Sequence, residues 1–211
     1  MQDLDVKFGP WFEEAWNLFK NNLGVLAVAS LVAALLSGLS LGILAGPMMA
    51  GLIIIVLALK DGRIPVPTAG EVFSGFKFFL PTFLFFLVWF ILLFVISAVL
   101  NLVPILGQAL SLALGYVGYA FLMFALFLIV DQGMDFWQAS LKSINTVKEN
   151  LWPLLAFGIV ANVIGSAGFL VCFVGGIFTM PFSACLLAVA YRDIFGRSAV
   201  SVPMGKPVEP R

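Results

Sequence analysis

An uncharged and mostly apolar run from residue 21 to residue 59 is the strongest constraint on the fold of this chain. As one helix it would be about 58 Å long at 1.5 Å per residue, nearly twice the roughly 30 Å hydrocarbon core of a bilayer. The run must therefore fold back once inside a membrane. Residues 37–42, which are rich in Gly and Ser, and the pair Gly46 and Pro47 are the two candidate turns.

Two further uncharged runs, 78–130 and 150–191, are also too long for a single crossing. The turn of the first is predicted at 101–107, where Asn, Pro and Gly interrupt the apolar residues. The turn of the second is predicted near 166–168, with Gly175 and Gly176 as the less favoured position. The sequence thus predicts an all-α, polytopic transmembrane bundle of six spans arranged as three hairpins.

Composition agrees with this assignment, since 62% of the residues are apolar and only 10% are charged, whereas soluble domains are about half apolar and a quarter charged. We expect one membrane domain over 1–211, without a separate soluble domain. Its predicted parts are an amphipathic N-terminal segment (1–21), hairpin 1 (22–60), a cytoplasmic loop (61–77), hairpin 2 (78–130), a cytoplasmic amphipathic segment (131–149), hairpin 3 (150–191) and a cytoplasmic tail (192–211).

The charges are distributed on one side of this predicted topology. All 11 basic and all 11 acidic residues fall in 1–20, 60–77, 131–149 and 192–211, which the six-span topology places together. Short loops rich in Lys and Arg stay in the cytoplasm, so both termini are predicted to be cytoplasmic. The amphipathic stretches in 1–21 and 131–149 are expected to lie in the cytoplasmic membrane interface.

Several kinds of chemistry are excluded or disfavoured by the residues present. The chain has no His, which removes the commonest general base, metal ligand and axial haem ligand. Its two cysteines, Cys172 and Cys185, are too few for a zinc or iron–sulfur ligand set. No basic patch of the nucleic-acid-binding kind occurs. We therefore expect no cofactor, no metal, no catalytic residue of a familiar kind and no nucleic-acid partner.

Three acidic residues, Asp61, Asp131 and Asp193, each end an apolar run at the cytoplasmic rim. Three carboxylates brought together there are one arrangement able to hold a divalent cation or to support a carboxylate-based membrane enzyme. The favoured interpretation is that they are solvated acids at helix ends. An acid at a helix C-terminus opposes the helix dipole, which makes its recurrence worth a test.

Inside the predicted spans, Asn162 is the polar residue that is most costly to expose to lipid, so it should face other helices. Packing is the favoured role for Asn162, and ligand recognition is the alternative. Gly46, Pro47, Gly118 and Pro181 lie in the even-numbered spans. Glycine and proline at such positions loosen helices and open gaps in a bundle.

Several short stretches, taken in order, carry a resemblance to a known group. They include 15–22 (AWNLFKNN), 46–51 (GPMMAG), 73–77 (FSGFK), 140–143 (SLKS) and 175–181 (GGIFTMP), the last leading to 188–193 (AVAYRD). Together they resemble an uncharacterised family of bacterial six-helix integral membrane proteins, similar to the membrane domain of glycerophosphodiester phosphodiesterases. The resemblance implies the cytoplasmic (inner) membrane of a bacterium and work related to lipid, and it supplies no catalytic residues.

Three functions remain open at this point. The first is non-enzymatic binding or movement of a lipid or amphipathic small molecule, with membrane lipids as partners. The second is a structural or accessory subunit of a larger membrane protein complex, in contact with other membrane protein subunits. The third and least favoured is the carboxylate-based enzyme, so that we lean against an enzyme.

Overall fold

A computed structural model describes residues 6–103, 105–171 and 173–196, and of 169–171, 173 and 174 it describes the backbone only. Every regular element in this part of the chain is helical. The elements are α1 (Phe8–Asn21), α2 (Leu23–Leu39), α3 (Ala45–Lys60), a 3-10 segment (Ala69–Phe78), α4 (Phe79–Leu100), α5 (Leu106–Leu122), α6 (Ala125–Gln132), α7 (Phe136–Glu149), α8 (Leu151–Val171) and α9 (Phe173–Phe195). The all-α prediction is confirmed.

Four helical segments are each long and apolar enough to cross a membrane, namely Ala69–Leu100, Leu106–Gln132, Leu151–Gly168 and Gly175–Phe195. The pair α1 and α2 reaches the same standard only when taken together, and it is bent by 86°. Helix α3 is apolar but has 16 residues, which is about 24 Å. The described residues therefore hold four candidate spans, or five with the bent pair.

Helix breaks occur at the first two predicted turns. Helix α2 ends at Leu39 and α3 begins at Ala45, so this break overlaps the predicted 37–42 and comes before Gly46 and Pro47, which lie in α3. Leu41 (φ 53°) and Gly42 (φ 89°) both take positive φ there, and the residue without a Cβ adopts that conformation at no steric cost. Helix α4 ends at Leu100 and α5 begins at Leu106, inside the predicted 101–107.

The third turn is not at 166–168. Helix α8 continues through these residues to Val171, and α9 begins at Phe173; position 172 lies outside the described residues. The small residues pack helices here instead of ending one. A Cβ on Gly168 would overlap the backbone of Gly175, so the glycine allows α8 and α9 to approach closely.

Helix α3 forms the centre of the bundle. Ten of its 16 residues are buried, and it packs against α2, α4, α6, α9 and the 3-10 segment. Helix α9 is buried without interruption from Pro181 to Arg192. Helix α4 is the opposite case, because only Thr82 and Phe85 of its 22 residues are buried. A hydrophobic face this large is compatible with lipid around it.

The 3-10 segment and α3 approach each other backbone to backbone. A Cβ added at Gly75 would overlap the carbonyl of Pro47, and one added at Gly51 would overlap the carbonyl of Val72. Both positions therefore require glycine. This contact holds the segment before α4 against the central helix.

The amphipathic stretches predicted in 1–21 and 131–149 contain helices α1 and α7. In α1, Trp11, Ala15 and Phe19 are buried, and the helix packs along α9. In α7, the buried residues are small or polar, namely Ala139, Ser140, Ser143 and Val147. Large apolar side chains on both helices are about half exposed, among them Phe12, Trp16, Trp137 and Leu141, and Phe12 and Trp16 also contact Phe182 of α9 edge-on.

Helices α3, α6 and α9 end in the same way. Each is followed by a glycine with positive φ, Gly62 (68°), Gly133 (63°) and Gly196 (69°). Glycine adopts this left-handed conformation readily and commonly ends helices. We call the region where α3, α6 and α9 end the charged end of the molecule, because Asp61, Asp131 and Arg192 lie there. The tail beyond Gly196 is outside the described residues.

Candidate functional site

The structure brings two of the three candidate acids together and leaves the third apart. Asp61 at the end of α3 and Asp131 in the last turn of α6 both bond to Arg192 of α9. Asp193, the next residue along α9, accepts a hydrogen bond from the Trp11 indole nitrogen at 3.0 Å. Three helices that are distant in sequence thus meet on one guanidinium group.

Arg192 uses all five of the N–H groups that a guanidinium carries. Its Nε and Nη2 donate to the two carboxylate oxygens of Asp61 at 3.1 and 2.7 Å. Its Nη1 and Nη2 donate to the two oxygens of Asp131, both at 2.9 Å. The remaining Nη1 hydrogen is directed at the Gly196 carbonyl oxygen, 3.2 Å away. Paired bonds of this kind are among the stronger hydrogen bonds in proteins.

Asp131 is buried, so it is not the solvated helix-end acid that the sequence favoured. Only 3% of its side chain is exposed, compared with 22% for Asp61. The Tyr191 hydroxyl also donates to Asp131 at 2.9 Å, and Gln132 and Lys142 extend the chain of hydrogen bonds from that hydroxyl. A buried carboxylate requires such partners, because desolvation without them is costly.

The cluster joins the ends of α3, α6 and α9 through one guanidinium group, and we call it the helix clamp. Two carboxylates and one guanidinium carry a formal charge of −1, and Arg192 lies between the acids. No group of three or more His, Cys, Asp or Glu side chains in the described ranges is placed to hold a metal ion. The three-carboxylate arrangement considered from the sequence does not form, because Asp193 is directed to Trp11.

A small polar crevice of about 240 Å³ opens beside the cluster. Its walls include Trp11, Asp61, Arg192 and Asp193, together with the ion pair between Lys60 and Glu14. Each of these charged side chains already has a partner within the protein. The charged groups of the crevice are therefore engaged by the protein itself, and together they carry a formal charge of −1.

A larger cavity of about 550 Å³ lies among the apolar helices. Helices α3, α4, α5, α8 and α9 contribute to its walls, with the short α6 at one end. The lining is predominantly apolar and aromatic, and includes Met49, Ile53, Phe85, Phe86, Trp89, Phe90, Leu93, Leu122, Met123, Leu126, Phe127, Met180 and Leu187. Ligand pockets are commonly between about 300 and 1,000 Å³ and lined in this way.

A few polar groups also face the cavity, namely Tyr119, Asn162, Ser166 and Ser183. Ser183 donates to the Ala161 carbonyl oxygen at 2.8 Å and Ser166 to that of Val163 at 3.2 Å. Asn162 is half-buried and makes no hydrogen bond to another described residue.

The glycine and proline residues predicted to loosen helices do not all lie at the cavity. Gly118 lines the cavity, and a Cβ there would have ordinary contact with Leu93 at 3.7 Å. Pro181 lies inside α9 between two cavity-lining residues. Gly46 packs tightly on the backbone of α4 at Thr82, and Pro47 stands in the first turn of α3, where proline removes no helical hydrogen bond. Gly118 and Asn162 are thus brought together at one cavity, away from the acids.

Sequence reasoning missed Arg192 as the centre of the polar cluster and Tyr191 as its buried partner. The available signal was a basic residue inside the last turn of an apolar helix, next to one of three recurring acids. Sequence reasoning also missed that aromatic side chains of α4 line the cavity. Phenylalanine occurs on nearly every face of this helix, so the sequence pattern does not indicate which face packs against the other helices.

Comparison with known proteins found no matching family model, no similar curated protein and no similar solved structure. The class is therefore defined by the structure alone: an all-helical protein with four or five segments able to span a membrane, a charged helix clamp at one end and an apolar cavity among its helices.

Proposed function

We propose that this protein binds or moves a lipid or an amphipathic small molecule in the 550 Å³ cavity. The cavity is the single observation that carries the proposal. It combines apolar walls, a volume suited to a small ligand and one polar side chain, Asn162, without a partner among the described residues. No step of this function requires a catalytic group.

The proposed setting is the cytoplasmic membrane of a bacterium, with six spans, three hairpins and both termini in the cytoplasm. The one-sided distribution of charge supports this orientation, and the resemblance to bacterial six-helix proteins related to glycerophosphodiester phosphodiesterase membrane domains supports the compartment. In this topology the bent pair α1 and α2 contributes one crossing and the short α3 another.

Access to the cavity is the second support for lipid as the ligand. Phe86 and Phe90 of α4 line the cavity and are themselves exposed. The cavity therefore adjoins the exposed face of α4. A hydrophobic ligand moving from the bilayer would enter along this helix.

Native mass spectrometry of the protein purified in mild detergent tests the proposal. The wild-type protein should retain a bound lipid. Gly118→Leu should reduce the retained fraction at least about tenfold, because the new side chain projects into the cavity with no backbone to displace. Gly24→Leu is the matched control, since Gly24 is exposed on α2 with nothing within 4 Å of its Cβ position.

Equal lipid retention by the wild-type, Gly118→Leu and Gly24→Leu proteins would contradict the proposal. So would a wild-type protein that retains no lipid at all.

A second candidate function is an accessory subunit of a larger membrane complex. The observation in its favour is the exposure of α4, where Phe90 and Phe94 stack on each other and are more than half exposed. Co-purification of a stoichiometric protein partner, lost in Phe90→Ala together with Phe94→Ala, would favour this function. The carboxylate-based enzyme is disfavoured, because Asp61 and Asp131 are both engaged by Arg192.

A further inference from the structure

We propose that the ligand of the cavity is an uncharged lipid whose hydrogen-bonding group, a hydroxyl or an ester carbonyl, pairs with the Asn162 side chain. This inference rests on the proposed function and narrows its ligand from lipids in general to uncharged ones. It follows from the unpaired Asn162 amide and from the absence of charged residues in the described lining of the cavity.

The described walls of the cavity carry no charge. Their residues come from 49–53, 85–127 and 162–187, and these stretches contain no Asp, Glu, Lys or Arg. A phosphate or ammonium group inside the cavity would lose its hydration without gaining a counter-charge. The charged residues nearest in the chain, Asp131 and Arg192, are bonded to each other.

The two serines of the cavity are satisfied within the protein. The hydroxyls of Ser183 and Ser166 donate to backbone carbonyls, and Ser183 is also the polar neighbour of the Tyr119 hydroxyl. The Asn162 amide has no such partner among the described residues. An amide offers two donors and an acceptor, and an unpaired amide surrounded by apolar groups is unfavourable.

The complement of this amide is a neutral group that accepts or donates one hydrogen bond. A hydroxyl can both donate and accept, and an ester carbonyl oxygen can accept from the amide N–H groups, in each case without carrying charge. The aromatic and methionine side chains that line the same cavity suit acyl or similar hydrocarbon chains, and methionine adapts its shape to irregular ligands. A diacylglycerol represents this chemical class.

Three lipids with the same acyl chains separate the possibilities: dioctanoylglycerol, dioctanoyl phosphatidic acid and the cationic dioctanoyl trimethylammonium propane. Binding of each is measured by titration of the full-length protein in one mild detergent. Dioctanoylglycerol should bind at least about tenfold more tightly than the other two. Asn162→Leu should weaken its binding about three- to tenfold, as expected for one net hydrogen bond.

Asn162→Gln is the companion variant, because it keeps the amide and should keep the preference for dioctanoylglycerol. Its thermal unfolding midpoint and that of Asn162→Leu are compared with the wild type, so that loss of binding is not confused with loss of folding. If Asn162→Leu does not fold, weaker binding by Asn162→Ser carries the same test.

The outcomes separate the uncharged-lipid inference from the proposed function on which it rests. Equal binding of the phosphatidic acid, or unchanged dioctanoylglycerol binding in Asn162→Leu, would overturn the uncharged-lipid inference while cavity binding stands. If Gly118→Leu leaves the binding of all three lipids unchanged, the cavity is not the binding site and the proposed function falls with the inference.

Discussion

At the scale of single residues, Arg192 has the most demanding environment in the described part of the chain. Its side chain is 6% exposed, and its five hydrogen bonds leave no N–H group unused. The planar fork of a guanidinium can bridge two carboxylates with paired bonds, whereas a lysine ammonium has three donors around one nitrogen. Arginine is therefore required at this position, not merely a positive charge.

We expect Arg192→Lys to destabilise the protein markedly, and Arg192→Gln to cost more, about 3–5 kcal/mol, because Asp131 would remain buried without its counter-charge. Unfolding monitored by circular dichroism in detergent measures the effect. Arg63→Lys is the comparison, since the Arg63 ion pair with Glu71 is about a quarter exposed, against 6% for the Arg192 side chain, and should therefore cost less to disturb.

The two acids of the cluster should differ as well. Asp131→Asn should destabilise the protein more than Asp61→Asn, because the Asp131 side chain is more deeply buried and also loses the Tyr191 hydrogen bond in its charged form. The same unfolding measurement decides the order. A larger effect at Asp61 would mean that burial does not control the energetics of this cluster.

At the scale of elements, the most restrictive contact is between α3 and the 3-10 segment. Gly75 lies against the backbone of α3 at Pro47 and Gly51. No side-chain rotation relieves a clash between a Cβ and a backbone carbonyl, so a larger residue must push the two elements apart. The path of the chain into α4 depends on this contact.

We expect Gly75→Ala to lower stability by about 1–3 kcal/mol or more, as overpacking generally does, and to reduce the yield of folded protein in detergent. Gly70→Ala in the same segment should be nearly neutral, because its Cβ would meet only the Thr68 hydroxyl at 4.0 Å. Gel filtration and thermal unfolding compare the two variants. Equal elution profiles and equal unfolding midpoints for the two variants would show that the 3-10 segment and α3 do not approach each other this closely in the folded protein.

At the scale of the whole molecule, the proposed orientation places the turns after α2 and α4 outside the cell and the loop after α3 inside. Leu41 (93%), Leu102 (79%) and Ile64 (90%) are comparably exposed in these three places. In a background lacking Cys172 and Cys185, a membrane-impermeant maleimide should label Leu41→Cys and Leu102→Cys in intact cells, and Ile64→Cys only after permeabilisation. Labelling of Ile64→Cys in intact cells would reverse the topology.

Much of the fold could be predicted from sequence because hydropathy and turn residues act locally. The helix breaks between α2 and α3 and between α4 and α5 overlap the predicted turn residues 37–42 and 101–107. The turn at 166–168 was misplaced because the same small residues that end a helix also let two helices touch, and only the packing of Gly168 on Gly175 separates these roles. The count of six spans stays a prediction.

The candidate sites were less predictable, since they depend on which helices become neighbours. Asp61, Asp131 and Asp193 form equivalent patterns in the sequence, yet Arg192 engages two of them and Trp11 the third. Gly118 and Asn162 lie 44 positions apart in the chain and still line one cavity. Distances of this kind follow from tertiary packing, which local sequence patterns do not encode.

The central claim is that the cavity receives a lipid, and Trp89 in its wall provides a direct probe. Bromine quenches indole fluorescence at contact, so titration with a brominated diacylglycerol should give saturable quenching in the wild-type and Gly24→Leu proteins. Trp89→Phe should lose that saturable component, and Gly118→Leu should lose it while retaining Trp89. Saturable quenching that persists unchanged in Gly118→Leu, or is absent from the wild type, would contradict the account.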